Sequence, residues 1–250
     1  GHEGAVNSVS FSSDETTLAS ASSDKTVKRW NVDSGVLLKT FEGYPEGHYS
    51  EVNSVVFSND GKTLVSAGRL VHLWNINNGN RLWRHQGDVV PILSVAFSSD
   101  GQTLALASWD HTVKLWDAAS GELRTTLEGH TGPVNSVAFS SGGQTLASTS
   151  MDSTVKLWDA RRELYTTLGV HAVVHGVAFS SDGQTLALAG KDKTVRLWDA
   201  GNEELKTLEG HDDMVFDVAF SRDGKTLASA SRDKTVRLWD TTSGALRATL

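Results

Sequence analysis

Three sets of histidine, serine and aspartate recur along the chain at identical spacing, and a tryptophan follows each set. These are the residue types of a serine-hydrolase triad, in which histidine deprotonates serine and aspartate orients the histidine. Such a triad needs an exposed serine beside an oxyanion site, and one catalytic site is not built three times with the same packing. We therefore predict a structural role and no enzymatic activity. The sets are His2, Ser20, Asp24 and Trp30; His130, Ser148, Asp152 and Trp158; and His211, Ser229, Asp233 and Trp239.

These sets belong to a longer repeat that positions them. Six tryptophans, at 30, 74, 116, 158, 198 and 239, are spaced 40 to 44 residues apart, and six phenylalanines keep step with them. One repeat predicts strands over Val134–Phe139, Thr145–Ser150 and Thr154–Asp159, and a fourth like Glu122–Leu127 precedes the next Gly-His. β-Branched and aromatic residues fill these strands, and Ser, Asp and Gly fill the turns. No window keeps a 3.6-residue apolar period, so we expect almost no helix.

The Gly-His start, the Ser-x3-Asp-x5-Trp spacing and the Trp-Asp end of the repeats resemble the WD40-repeat family over essentially the whole chain. The amino-acid sequences of the repeats are most similar to those of the repetitive WD40 arrays in bacterial and fungal multidomain proteins. The resemblance implies an all-β, six-bladed WD40 β-propeller with four antiparallel strands per blade and blades contiguous in sequence. It predicts one domain over 1–250, with repeats at about 1–46, 47–86, 87–128, 129–168, 169–209 and 210–250.

A four-stranded blade cannot bury both of its faces alone, so blades must stack face to face. We expect blade 1 to pack against blade 6 and the chain to be a monomer. Six blades are fewer than the seven usual in this family. A dimer is the alternative if the ring is incomplete.

The resemblance also implies that each His, Ser, Asp and Trp set forms a buried hydrogen-bond relay. Three blades depart from the motif. Because a buried serine without its histidine is costly, loss of both residues together suggests compensation, with leucine filling the histidine space and the tryptophan lacking a hydroxyl partner. Blade 2 keeps His48, Ser66 and Trp74 without an aspartate; blade 3 has Asp88, Leu106, Asp110 and Trp116; blade 5 has Val170, Leu188, Asp192 and Trp198.

Composition excludes several classes of site. The 250 residues include no cysteine, which removes disulfides, thiol catalysis and cysteine-ligated metals. A net charge of −7 argues against nucleic-acid binding, and no apolar run is long enough to span a membrane. We expect no cofactor and an intracellular, cytoplasmic protein.

Two further features of the sequence could have a function: a pair of histidines with metal-ligand spacing, and an inserted loop. His171 and His175 lie four residues apart without a third ligand nearby, and each Ser-Asp-Gly turn offers calcium too few carboxylates. We therefore predict no metal site. The inserted segment 43–46, with Tyr44, is interpreted as a tolerated surface loop, with a contact loop as the alternative.

The leading hypothesis for function is a scaffold that binds a protein or peptide through the top face of the propeller. In the family, three positions per repeat face this side: the third and fifth residues after the histidine and the residue before the tetrad aspartate. Flexible methionine and rigid aromatic residues at those positions suit an interaction surface. The alternative is an excised or engineered repeat array with a purely structural role. The predicted anchors are Trp109, Met151, Met214 and Phe216, rimmed by His175, Lys191 and Arg232.

Overall fold

Six separate four-stranded antiparallel sheets account for the strands of the described chain. The computed structural model describes residues 1–41, 48, 50–86, 90–159, 163–170, 172–199 and 204–250. No helix occurs within those ranges. Each sheet takes four consecutive strands in chain order, which confirms the all-β prediction of contiguous four-stranded blades. We number the sheets as blades 1 to 6.

The strand bounds follow the repeat closely. Observed ends differ from the predicted ones in blade 4 by one residue, at Leu146 and Trp158. Blades 1 to 3 comprise β1 Val6–Phe11, β2 Thr17–Ser22, β3 Val27–Asn31, β4 Leu37–Phe41; β5 Val52–Phe57, β6 Thr63–Gly68, β7 Leu70–Asn75, β8 Arg81–Gln86; and β9 Ile92–Phe97, β10 Thr103–Ser108, β11 Val113–Asp117, β12 Leu123–Leu127. Blades 4 to 6 comprise β13 Val134–Phe139, β14 Leu146–Ser150, β15 Thr154–Trp158, β16 Leu164–Gly169; β17 Val174–Phe179, β18 Thr185–Gly190, β19 Val195–Asp199, β20 Glu204–Leu208; and β21 Val215–Phe220, β22 Thr226–Ser231, β23 Val236–Asp240, β24 Leu246–Thr249.

The chain divides into two compact units, Gly1–Thr126 and Leu127–Leu250. The first unit holds blades 1 to 3 up to the penultimate residue of β12, and the second holds blades 4 to 6.

The turn between the first two strands of a blade explains the recurrent Ser-x-Asp sequence. In blade 2, the Ser58 hydroxyl donates to the Asp60 carboxylate at 2.6 Å, and the same carboxylate oxygen accepts the Lys62 N–H at 3.0 Å. Gly61 adopts a φ of +67°, which glycine reaches without the steric cost of a side chain. The aspartate is thus used within its own turn, as hairpin chemistry predicts.

Adjacent blades within a unit pack through a repeated set of apolar side chains. Between blades 1 and 2, Ala19, Ala21, Val27 and Phe41 lie against Val52, Val55, Phe57, Leu64 and Trp74. We call the side of a blade that meets the next blade its front face, and the opposite side its back face. The same front-to-back arrangement joins blades 2 and 3, 4 and 5, and 5 and 6.

Polar contacts fix the register of this packing. The Ser8 hydroxyl accepts the Val55 N–H at 3.2 Å, and the Ser54 hydroxyl accepts the Val95 N–H at the same distance. Blade 5 has Gly176 at this position. A Cβ on Gly176 would lie 2.9 Å from the Asp217 Cα, so glycine permits the close approach of β21.

A helix must be long and apolar to cross a membrane. The described residues contain no such helix.

Candidate functional site

Blade 4 shows the complete relay of four side chains. The Trp158 indole Nε1–H donates to the Ser148 hydroxyl at 2.9 Å, and Ser148 Oγ lies 2.8 Å from His130 Nε2. On the other side of the ring, His130 Nδ1 lies 2.9 Å from Asp152 Oδ2. Antiparallel pairing across β14 and β15 places Ser148 opposite Lys156, two residues from the tryptophan.

The acid–base state of blade 4 sets the direction of the relay. Burial lowers the pKa of His130 below its usual value, although Asp152 opposes the shift. The imidazole is therefore neutral at pH 7. Burial raises the pKa of Asp152, but hydrogen bonds from the Thr154 hydroxyl, the Thr131 N–H and His130 outweigh it and lower that pKa to about 2. Nδ1–H of His130 thus donates to the carboxylate, and Nε2 accepts the Ser148 hydroxyl proton.

The same relay occurs in blades 1 and 6. His2 Nε2 lies 2.7 Å from Ser20 Oγ, and His211 Nε2 lies 2.7 Å from Ser229 Oγ. The serines of all three relays are buried, so a substrate carbonyl has no access to their hydroxyls. Each serine also accepts an indole N–H, which ties it to the tryptophan of its own blade. These serines therefore act as internal hydrogen-bond partners rather than nucleophiles.

In each relay the aspartate carboxylate also accepts a hydrogen bond from a threonine hydroxyl, which the sequence analysis does not predict. The Thr154 hydroxyl donates to Asp152 Oδ1 at 2.7 Å, and Thr26 and Thr235 do the same in blades 1 and 6. A threonine two residues after each tetrad aspartate was the available signal.

Blade 2 has no tetrad aspartate, and a second histidine, His72, stacks against its relay histidine, a feature that the repeat comparison does not predict. His48 Nε2 lies 2.7 Å from Ser66 Oγ, which also accepts the Trp74 indole N–H at 2.8 Å. The His72 ring stacks on His48 with centroids 4.4 Å apart. Neither His72 nitrogen, nor Nδ1 of His48, has a hydrogen-bond partner among the described residues.

The position of His72 explains why it is neutral. His72 lies opposite Ser66, where the other five blades carry lysine or arginine: Lys28, Lys114, Lys156, Arg196 and Arg237. Burial lowers the pKa of His48 to about 4. Burial, followed by the charges of His48, Arg81 and Arg84, lowers the pKa of His72 to about 2. Blade 2 therefore lacks both the aspartate and the cation of the other blades.

Blade 3 fills the relay space with apolar and ionic groups. Leu106 is buried opposite Lys114, and the Trp116 indole N–H has no hydrogen-bond partner within the described part of the chain. The ring of His85, from β8 of the preceding blade, lies against Trp116 with centroids 4.0 Å apart. Asp88, predicted at the histidine position, lies outside the described residues.

The tetrad aspartates of blades 3 and 5 bind cations instead of a histidine. Lys114 Nζ donates to Asp110, and the Arg196 guanidinium donates to Asp192. In blade 4, by contrast, Lys156 Nζ donates to the Thr167 hydroxyl at 3.0 Å. Blade 5 also has buried Val170 and Leu188 at the histidine and serine positions. Loss of the histidine thus frees its aspartate for the third-strand cation.

Replacing Lys114 by methionine is expected to lower the free energy of unfolding by about 1–2 kcal/mol, because Asp110 keeps its charge in a half-buried place with one partner fewer. A double-mutant cycle with Asp110→Asn, measured by urea unfolding, should show a coupling energy of about 1 kcal/mol. The matched cycle of Lys156→Met with Asp152→Asn should show a smaller one. Equal coupling in the two blades would contradict the exchange of partners.

The predicted anchors lie at one end of their blades, which we call the inner-turn end. There, the turn between the second and third strands is hydrogen-bonded to the residue that enters the first strand. The Met151 N–H donates to the Pro133 carbonyl at 2.9 Å, and the Trp109 N–H donates to the Pro91 carbonyl at 3.1 Å. The Arg232 N–H donates to Met214 in the same way.

Six of the seven predicted partner residues belong to the second unit. Met151, Phe216, Lys191 and Arg232 are exposed, whereas Met214 and His175 are half-buried. Trp109 is also exposed and belongs to the first unit.

Two of the predicted partner residues are in direct contact. The rings of His175 and Phe216 have centroids 5.7 Å apart. Burial, then the charge of Lys191, lowers the pKa of His175, so its ring is neutral at pH 7.

The fifth position after the histidine also serves blade packing. Asn7 Nδ2 donates to the Val52 carbonyl at 2.9 Å, and Asn53 and Asn135 make the equivalent contact with the next blade. His175 and Phe216 replace this asparagine in blades 5 and 6. Blade 6 therefore presents an aromatic ring where blades 1, 2 and 4 present an amide.

Some residues of the inserted loop and of the candidate metal site lie outside the described residues. Segment 43–46, with Tyr44, and His171 are not among the described residues. Within the described ranges, no group of three or more histidine, aspartate or glutamate side chains could hold a metal ion.

Comparison with known proteins gives one family match and several relatives that align with only part of this chain. The family model "WD domain, G-beta repeat" matches residues 1–31, 35–75, 79–117, 121–159, 162–199 and 202–240. A guanine nucleotide-binding protein subunit beta of Oryza sativa is 32% identical over 123 residues, which cover 46% of this chain and 32% of the relative. The COMPASS component SWD3 of Saccharomyces cerevisiae is 33% identical over 122 residues, which cover 46% of this chain and 38% of the relative. The chain thus spans about a third of the length of these relatives.

Proposed function

Because the chain belongs to the WD40-repeat family, we propose that it is a non-catalytic scaffold that binds a protein or peptide through the inner-turn end of its blades. Its six sheets are the blades of a six-bladed β-propeller. Two relatives are named as a subunit and a component of larger assemblies, which supports a role in protein association.

Exposed apolar side chains at the inner-turn end carry this proposal. Met151 and Phe216 are large and apolar, yet 40% and 47% exposed beside polar turns. Exposed apolar surface at one end of the blades supports an interaction site there. Phe216 is held from one side by His175, so its ring is presented with little freedom to lose on binding.

Charge at the rim suggests the chemistry of the partner. Lys191 is exposed on the turn of blade 5. Arg232 Nε lies 3.8 Å from the Asp213 carboxylate at an exposed position, where such a pair is weak. Both cations are therefore accessible to carboxylates. We infer that the ligand is a segment with apolar side chains flanked by acidic residues, bound in the cytoplasm.

A peptide array of apolar-acidic sequences, probed with the full chain, tests the proposal. For a retained peptide, Phe216→Ala should weaken binding at least about tenfold, the effect of a central aromatic anchor. Tyr165→Ala is the matched control, because Tyr165 is an exposed aromatic residue on the outermost strand of blade 4. Equal losses in the two variants would refute this site. Retention of no peptide would favour an array with a purely structural role.

A further inference from the structure

A cleft between blades 2 and 3 lies at the end of these blades opposite the inner-turn end. Its volume is about 490 Å³, which is within the usual range of ligand pockets. Leu73 and Leu82 of blade 2 and Phe97 and Ala118 of blade 3 form its apolar wall. All four belong to the first unit. Leu82 is 52% exposed, so the cleft offers an apolar surface to solvent.

Hydrogen bonds from blade 2 to blade 3 hold the walls of the cleft in place. The Trp83 indole N–H donates to the Ala118 carbonyl at 3.0 Å. The Asn59 side-chain amide donates to the Ser99 carbonyl at 2.8 Å. Because both walls are tied to each other in the free protein, a ligand does not have to order the cleft on binding.

Blade 6 closes the equivalent place with an arginine. Leu82 is the extra residue of a β-bulge in β8, and Arg247 has this position in β24. The Arg247 guanidinium donates to the Asp240 carboxylate and to the Thr226 hydroxyl of its own blade. Blade 2 has Asn75 in place of that aspartate. Blade 2 therefore exposes an apolar side chain where blade 6 makes an internal ion pair.

The rim of the cleft is acidic. Asp60 and Asp100 line it, and the described lining residues include no lysine or arginine. For each carboxyl, hydrogen bonds from a serine hydroxyl and a backbone N–H lower the pKa, so both are ionised at pH 7. Lys62 Nζ lies 3.9 Å from Asp60 Oδ2 at an exposed position, where such a pair is weak. The charge of Arg124 also reaches Asp100, but its guanidinium donates to Asp117.

The two carboxylates each keep one oxygen for a ligand. The turn hydrogen bonds of Asp60 and Asp100 are all made to Oδ1. The Oδ2 atoms are thus available to a cation beside the apolar wall.

We propose that this cleft is a second binding site, for a segment of a partner protein in which a leucine or phenylalanine adjoins a lysine or arginine. The apolar side chain packs against Leu82 and Phe97, and the cation meets Asp60 and Asp100. Apolar wall and acidic rim are then both matched by the ligand. The rim of the inner-turn site is basic, so the two sites select oppositely charged segments and neither depends on the other.

A peptide array probed with the full chain tests the proposal. One set of peptides places leucine or phenylalanine beside lysine or arginine, and the matched set has glutamine in place of each basic residue. The chain should retain members of the basic set only. For a retained peptide, Leu82→Arg should weaken binding at least about tenfold in fluorescence polarisation, because it removes an apolar contact and adds a like charge.

Leu38→Arg is the matched control. Leu38 is the extra residue of the bulge in β4, at the same position of blade 1, and is 43% exposed. In that blade Arg29 takes the position of Leu73, and its guanidinium donates to the Ile76 carbonyl of blade 2 at 2.8 Å. The junction of blades 1 and 2 therefore lacks the apolar wall, and Leu38→Arg should bind the peptide as the wild type does.

Further variants separate the contributions to binding. Asp60→Asn combined with Asp100→Asn should weaken binding about threefold or more and reduce its dependence on salt. Phe216→Ala should leave it unchanged. Circular dichroism checks folding, and if Leu82→Arg does not fold, Leu82→Ser tests the same contact. Retention of no basic peptide, equal retention of the glutamine set, equal losses in Leu82→Arg and Leu38→Arg, or a loss in Phe216→Ala would overturn the proposal.

Discussion

Lowering the pH from 7 towards 4.5 is expected to destabilise the protein steeply, and His72→Leu should remove part of that loss. In the unfolded chain each histidine takes up a proton near pH 6.5. In the folded chain, His48 stays neutral down to about pH 4 and His72 down to about pH 2. Protonation of the unfolded chain therefore costs the fold nothing above pH 6.5, and below it lowers the free energy of unfolding by about 1.4 kcal/mol per pH unit for each histidine.

Urea unfolding at several pH values between 7 and 4.5 measures this effect. His72→Leu should reduce the slope of unfolding free energy against pH by the equivalent of about one proton. At pH 7 the variant should be at least as stable as the wild type, since leucine removes two nitrogens that have no partner among the described residues. His111→Asn is the control, because His111 lies exposed in a turn with a positive φ that asparagine tolerates. Identical slopes for wild type and His72→Leu would contradict the prediction.

Ser148→Ala is expected to lower the free energy of unfolding by about 1–3 kcal/mol, because it leaves two buried groups without a partner. The Trp158 indole N–H loses its acceptor, and His130 Nε2 loses its donor. Thermal and urea unfolding measure the loss. Ser141→Ala, at an exposed serine in the same blade, should change stability by less than about 0.5 kcal/mol. A melt of Ser148→Ala that matches wild type would exclude the relay as a stabilising element.

A double variant tests whether paired replacement compensates. His130→Val with Ser148→Leu gives blade 4 the residues that blade 5 has at Val170 and Leu188. It should be more stable than Ser148→Ala, because leucine refills the space and no imidazole nitrogen is left unpaired. Lys156 is then expected to turn to Asp152, as Arg196 turns to Asp192 in blade 5.

Periodicity was sufficient to predict the blades and their strand order. The tryptophan spacing and the alternation within segments such as Val134–Phe139 reflect local demands that every repeat meets in the same way. The stacked pair of His48 and His72 was missed, because it depends on cross-strand register. Aligning the third strands would have flagged His72 as the one neutral residue among lysines and arginines. The partner-binding role of the inner-turn residues stays a prediction, which rests on large apolar residues standing in polar turns.

Whether a polar network lies within one repeat or spans two repeats affects how such an array can change by gene duplication. In blades 1, 4 and 6 all four relay side chains come from one repeat, so a copied or deleted repeat carries its own network intact. Trp116 of blade 3 instead rests against His85, which belongs to the last strand of blade 2. Recombination that separates blades 2 and 3 would leave this indole without its ring partner. These two repeats are therefore expected to be inherited together, whereas the relay-bearing repeats can be exchanged singly.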